Sequence, residues 1–185
     1  MKQIRYVSLL LTLIAQTLLA EAQFTNASLQ ATGLTCAMCS NAINKALQKL
    51  PFVESVKSDI KNSSFSIVFR SGSTVNLDAI KDAVEGAGFF VGGLQVTGSF
   101  SNLNTDADGI VRIGNDWFNV LNGTNRGMNG EVTFNLQDKA FLTAKSFKKI
   151  SSTVKAPSLA SGKAESDLTK SGVKKGERIY HVTIG

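Results

Sequence analysis

Cysteine and histidine are nearly absent from this sequence. Its 185 residues include two cysteines, Cys36 and Cys39, and one histidine, His181. A zinc site of four cysteines, or of two cysteines and two histidines, needs more ligands than one such chain supplies. With His181 as the lone imidazole, no Ser/His/Asp set is visible in the sequence. No phosphate-binding loop or carboxylate pair stands out either, so an enzyme is not expected. Met128 and His181 show no spacing that suggests a second metal site. A long apolar run is also missing: the mostly apolar stretch 6–19 is too short for a comfortable membrane span.

That stretch follows Lys2 and Arg5 and gives way to Ala20-Glu21-Ala22, a small-x-small pattern. We read residues 1–22 as a secretory signal cleaved after Ala22; the alternative is a retained N-terminal anchor. No cysteine follows the cleavage point directly, which argues against a lipid anchor. The mature protein is then expected to be periplasmic or secreted, without stable membrane insertion, where thiols oxidise unless protected. The net charge is +6 and the pI about 9.4, enough for weak attraction to anionic surfaces. Residues 23–107 carry 6 basic and 6 acidic side chains, whereas residues 108–185 carry 12 and 7. The basic surplus of the mature chain lies in its second part. Such a surplus could dock an acidic partner or a membrane surface, and a solvated surface is the simpler reading.

Residues 23–97 read as one unit. Leu29 and Ala31 alternate with polar neighbours as in a half-buried strand. From Ser40 the apolar positions Ala42, Ile43, Ala46, Leu47 and Leu50 trace one helical face, and Pro51 stops it. Val53, Val56 and Ile60 suggest a strand. Asn62-Ser63-Ser64 makes a turn, and Phe65, Ile67 and Phe69 alternate as its hairpin partner. Asn76 can cap a second helix with Leu77, Ile80, Val84 and Ala87 on its apolar face, ended by Gly86 and Gly88. A strand over 90–96 completes a βαββαβ order, a two-layer α+β sandwich.

The segment Gly33-Leu34-Thr35-Cys36-Ala37-Met38-Cys39 resembles the GMTCxxC loop of the heavy-metal-associated domain. That family includes copper chaperones, N-terminal domains of metal-exporting ATPases and periplasmic mercury-binding proteins. Glu85-Gly86-Ala87-Gly88-Phe89 is similar to the acidic-x-x-Gly-Tyr/Phe segment that the family sets beside its loop. The resemblance covers roughly residues 26–97 and implies a ferredoxin-like fold with Cys36 and Cys39 as metal ligands. Leu34 replaces the usual methionine under the loop at similar volume.

The chemistry of the pair agrees. A soft ion such as Cu(I) suits two thiolates, and Hg(II) or Zn(II) are the other candidates. The unpaired N–H groups of a first helical turn favour negative charge, hence a dithiolate. Two readings stay open beside metal binding: a thiol–disulfide exchange pair and an inert disulfide. Thioredoxin-type loops carry Trp before and Pro between their cysteines, and neither is present. Met38 could add a thioether or face a partner, Phe89 could shield the ion, and Lys45 and Lys49 could steer an acidic partner. Transfer of the ion to a metal-transporting membrane protein or a cuproprotein is what the resemblance implies. Two chains sharing one ion through four cysteines is a further arrangement.

Residues 98–107, polar and poor in apolar side chains, read as a linker. Residues 108–185 read as a small, mostly antiparallel β domain of the OB-like barrel type. Strands are expected at Ile110–Ile113, after the Gly114-Asn115-Asp116 turn through Leu121, at Val132–Leu136, over 141–150 and over 178–184. Asn122-Gly123 and Asn129-Gly130 look like hairpin turns. Residues 151–175 read as a long loop or a short weak helix. Such barrels bind nucleic acid in other settings, but the signal sequence argues against nucleic acid here.

Overall fold

In the computed structural model, residues 23–34, 36–168 and 170–185 are described. The expected signal, residues 1–22, lies outside them. The first six elements are β1 (Gln23–Thr32), α1 (Ala37–Gln48), β2 (Val53–Asp59), β3 (Ser64–Phe69), α2 (Leu77–Gly86) and β4 (Phe90–Asn104). Each follows from its pattern. In β3, Phe65, Ile67 and Phe69 are buried and alternate with exposed Ser66 and Val68. In α1, Ile43 and Leu47 are buried four residues apart. In α2, Leu77, Ile80 and Val84 are buried, and the Asn76 Oδ1 cap accepts the Ala79 N–H at 2.9 Å. These strands pair antiparallel in the order β2-β3-β1-β4, with α1 over β2, α2 over β4 and the helices touching. This is the ferredoxin-like α+β arrangement that the sequence predicts.

The second half extends the same sheet. Its strands are β5 (Ile110–Ile113), β6 (Asp116–Val120), β7 (Gly127–Leu136) and β8 (Ile179–Ile184). The order across the eight strands is β2-β3-β1-β4-β7-β8-β6-β5. All pairings are antiparallel except β6 with β8. The half is β-rich as expected, but its strands do not close into a separate barrel. The segment read as a linker is strand as far as Asn104, bonded to β7. Beyond it, the Thr105 hydroxyl donates to the Gly123 carbonyl at 2.6 Å, and Asp106 Oδ1 accepts the N–H groups of Asp108 and Ile110 at 2.9 and 2.8 Å. Polar composition there reflects turn hydrogen bonds rather than slack chain.

Two further expectations are corrected. Residues 141–150 are not a strand: a 3₁₀ turn (Lys139–Phe141) leads into α3 (Ala144–Thr153). Thr143 caps α3 by accepting the Ser146 N–H at 3.1 Å, and Phe147, Ile150 and Val154 carry helical spacing that the mixed lysines obscured. Asn129-Gly130 is not a hairpin turn; it lies inside β7 opposite a bulge in β4. A four-residue helix α4 (Ser158–Ser161) interrupts the long loop, as anticipated.

One continuous core joins the halves. Phe24 of β1 lies 5.7 Å from Phe118 of β6 and 6.3 Å from Phe134 of β7, ring centre to ring centre. On a flat sheet β1 and β6 would stand roughly 19 Å apart, four strand spacings. The sheet therefore coils until its first strand meets its late ones. Phe100 and Tyr180 complete the aromatic cluster, Phe118 stacking on Tyr180 at 5.2 Å.

An ion pair crosses the same seam. Arg178 Nε and Nη2 donate to the two Asp78 oxygens at 2.8 and 3.0 Å, joining the start of β8 to the first turn of α2. Nη1 donates to the Gly162 and Ile179 carbonyls, and the guanidinium lies 3.9 Å over the Tyr180 ring. Gly162 is left-handed (φ 67°), which favours glycine, and a Cβ there would push against the Arg178 guanidinium.

Two tests follow from this seam. Phe134→Ala should cost about 3–5 kcal/mol in urea unfolding. Trp117 fluorescence and first-half amide exchange should shift together; a first half left unaffected would show separate units. For Asp78, burial pushes the carboxyl up, but the hydrogen bonds and charge of Arg178 outweigh it and hold the group below its ordinary 3.8. A depressed carboxyl stabilises the fold above that value and loses the contribution as pH falls through its folded value. Asp78→Asn should therefore lower stability by about 2 kcal/mol at pH 7. The gap to the unaltered protein should close on acidification toward pH 3, measured by thermal melts across pH.

Candidate metal centre

The loop that carries the cysteines is built by the ends of β1 and α1. Gly33 turns the chain out of β1 with φ 84°, a left-handed value that glycine adopts freely. Leu34 is half-buried against the core, as its place under the loop predicts. Thr35 lies outside the described residues. Cys36 is extended and occupies the N-cap of α1, and its carbonyl accepts the Cys39 N–H at 3.1 Å to open the helix. The two sulfurs thus emerge on one side of the first turn, 2.7 Å apart. Cys36 is exposed and Cys39 half-exposed.

The neighbouring elements close around this turn. α2 ends in a Schellman pattern: the Phe89 N–H reaches the Val84 carbonyl at 3.2 Å and the Gly88 N–H reaches Glu85 at 2.9 Å. This brings Phe89, half-buried, to 3.9 Å from where a Cβ on Gly33 would sit. Glu85 itself pairs with Lys81 at 3.0 Å. Lys81 is raised above its ordinary value, because its bonds to Asp82 and Glu85 outweigh a burial effect of opposite sign. Met38, between the cysteines, and Phe90, at the start of β4, stand out from the surface, 82% and 68% exposed. Lys45 and Lys49 are exposed on α1.

Other singled-out residues lie elsewhere. Met128 is buried in β7 opposite Leu103, and His181 is enclosed in β8, so the two form no site together. His181 instead contacts Asp138 and Ser158. Sequence reading missed this trio because 23 and 43 residues separate its members from the histidine. Among the described residues, no group of three or more His, Cys, Asp or Glu side chains could hold a metal. Two soft sulfur donors with open sides are what the loop offers, a set that suits a thiophilic ion.

Residues 28–90 match the heavy-metal-associated domain family. The Arabidopsis thaliana protein named Probable copper-transporting ATPase HMA5 is 33% identical over 60 residues, which are 32% of this chain and 6% of that protein. The chain therefore spans a small fraction of that relative. Among solved structures, one described as the CopZ metallochaperone is 28% identical, with 36% of this chain and 98% of that one covered and a TM-score of 0.34. The yeast copper transporter domain CCC2A is 27% identical, covering 36% and 90%, with a TM-score of 0.33.

The geometry of Gly33 gives a test. Gly33→Ala forces a side chain into a left-handed backbone and should lower apo-protein stability by about 1–2 kcal/mol in urea unfolding. No loss would mean that the loop relaxes freely.

Proposed function

We propose that this chain is an exported carrier of a soft thiophilic ion, Cu(I) in the first place. Cys36 and Cys39 hold the ion and give it up to a partner. The observation that carries the reading is the convergence of the two sulfurs, 2.7 Å apart at an exposed helix start. Metal–thiolate bonds of about 2.3 Å let two sulfurs on one ion stand up to roughly 4.6 Å apart. Rotation of the exposed Cys36 side chain opens the present spacing. The heavy-metal-associated family match over the loop supports the same assignment, as does the relative named for copper transport. Two thiolates leave the ion open to an incoming thiolate. Exchange through a three-coordinate state is the transfer route that such an open site permits.

The partner in this reading is a metal-transporting membrane protein or a cuproprotein that approaches from the side of the exposed Met38. Export rests on the signal-like residues 1–22 and places the carrier in the periplasm or outside the cell. Zn(II) is the weakest cargo, since it favours four ligands. The close approach of the sulfurs also favours one second reading: on oxidation they can bridge, as a thiol–disulfide exchange pair would.

The test is a Cu(I) titration of residues 23–185, reduced and oxygen-free, against a competing chelator. One ion per chain is expected, with at least about a 100-fold weaker affinity in the Cys36→Ser/Cys39→Ser variant. Half an ion per chain would indicate two chains bridged by four thiolates. Binding unchanged in the variant would sink the assignment. Failure to compete would turn it toward Hg(II) or thiol exchange.

A further inference from the structure

The interior of the second half holds a chain of polar groups that the metal chemistry leaves unused. Asp138 and His181 are 1% and 0% exposed. Asp138 follows β7, and its Oδ2 accepts the His181 backbone N–H at 3.0 Å. Its Oδ1 lies 2.8 Å from His181 Nδ1. A carboxylate only accepts, so Nδ1 carries the proton, and in the neutral ring Nε2 is left as an acceptor. Ser158 Oγ stands 3.0 Å from Nε2 and donates to it in that neutral tautomer. Ser158, on the first turn of α4, is only half-buried.

Nucleophile to base and base to orienting acid are thus both within hydrogen-bond reach, in the roles that activate a serine. Ser158 also borders open space, with the fully buried His181 behind it. Ser158 and His181 line a cavity of about 280 Å³. Asn119, the register partner of His181 across β6 and β8, lines it as well. Leu168 and Ile179 supply an apolar wall. A side-chain amide lining the same cavity is a donor type that stabilises a tetrahedral oxyanion. The cavity lies near the small end of ligand sites, which limits the acyl group to a short one.

We propose that Ser158 is an activated nucleophile and that this cavity hydrolyses esters of short-chain acids, independently of the metal loop. Ser158 Oγ attacks the ester carbonyl as its proton passes to His181 Nε2. The intermediate collapses, and the leaving alkoxide takes that proton from Nε2. Water then attacks the acyl-serine and gives a proton to Nε2. The carboxylic acid departs as Nε2 returns the proton to Ser158. Asp138 acts through the imidazole as a positioning residue, fixing its tautomer.

A network with a purely structural role would satisfy Asp138 and His181 equally well but leave Ser158 with ordinary hydroxyl reactivity. The experiment reads that reactivity. Residues 23–185 are treated with a fluorophosphonate, which loses fluoride as the serine oxygen bonds to phosphorus, and the adduct is mapped by peptide mass spectrometry. Hydrolysis of p-nitrophenyl acetate is followed in parallel. One adduct per chain at Ser158 is expected, with ester turnover at least about 100-fold lower in Ser158→Ala. No adduct, adducts scattered without preference for Ser158, or equal turnover in the two proteins overturns the proposal. The mapping uses the unaltered chain, so the result does not depend on a variant folding. For Asp138, slower labelling in Asp138→Asn with partial recovery in Asp138→Glu is expected. Equal labelling in all three, or no recovery, removes it from the mechanism.

Discussion

The backbone of β4 is hydrogen-bonded along both edges, and the rest of the molecule hangs on that. Its first ten residues pair with β1 and its later ones with β7, and from Gln95 to Ser99 it pairs with both. A strand so placed cannot shift register by one residue without turning Val96 and Phe100 out of the core. Fixing β4 fixes the aromatic cluster, because Phe100 of β4 and Phe24 of β1 both meet Phe134 of β7. Coiling of the sheet then encloses these rings on several sides. An apolar surface this broad, shared by both halves, gives neither of them a complete core alone.

Continuity of the core makes polar groups at the seam costly unless they are paired. Arg178 shows how this is met. Its donors reach Asp78 and two backbone carbonyls while its flat face covers Tyr180. Asp78 is also the acidic residue of the first turn of α2, where the helix dipole favours it. The second half therefore grips the start of α2, and the end of α2 delivers Phe89 to the cysteine loop. Among the described residues, no buried side-chain nitrogen or oxygen lacks a hydrogen-bond partner.

The first half was legible because its signals are local. Alternation in Phe65, Ile67 and Phe69, helical spacing in Ile43 and Leu47, the Asn76 cap and the Cys36/Cys39 loop each act within a few residues. The second half was less so, because its organisation depends on distant pairing. Nothing near Ser99 or Asn104 announces that β7 lies alongside, and polar residues there resemble a linker as much as a strand edge. Parallel pairing of β6 with β8 joins residues some 60 positions apart, which no local pattern encodes. The Ser158, His181 and Asp138 chain is hidden for the same reason. In α3 the signal was present, and the period was misread: Phe147 and Ile150 are three residues apart, not two.

The position of the cysteine loop completes the physical account. It springs from the end of β1 where Thr32 pairs with Phe90, at the far end of β4 from the bulge opposite Gly130. Leu34 and Phe89 anchor the loop from beneath, and β1 holds it through ladders on both sides. The sulfurs are accessible, yet the backbone that carries them is over-determined. Rotation of the exposed Cys36 side chain changes the spacing of the sulfurs with no opening of the core. The ladders on both sides of β1 and the coiled sheet keep the loop backbone in place beneath the exposed Met38.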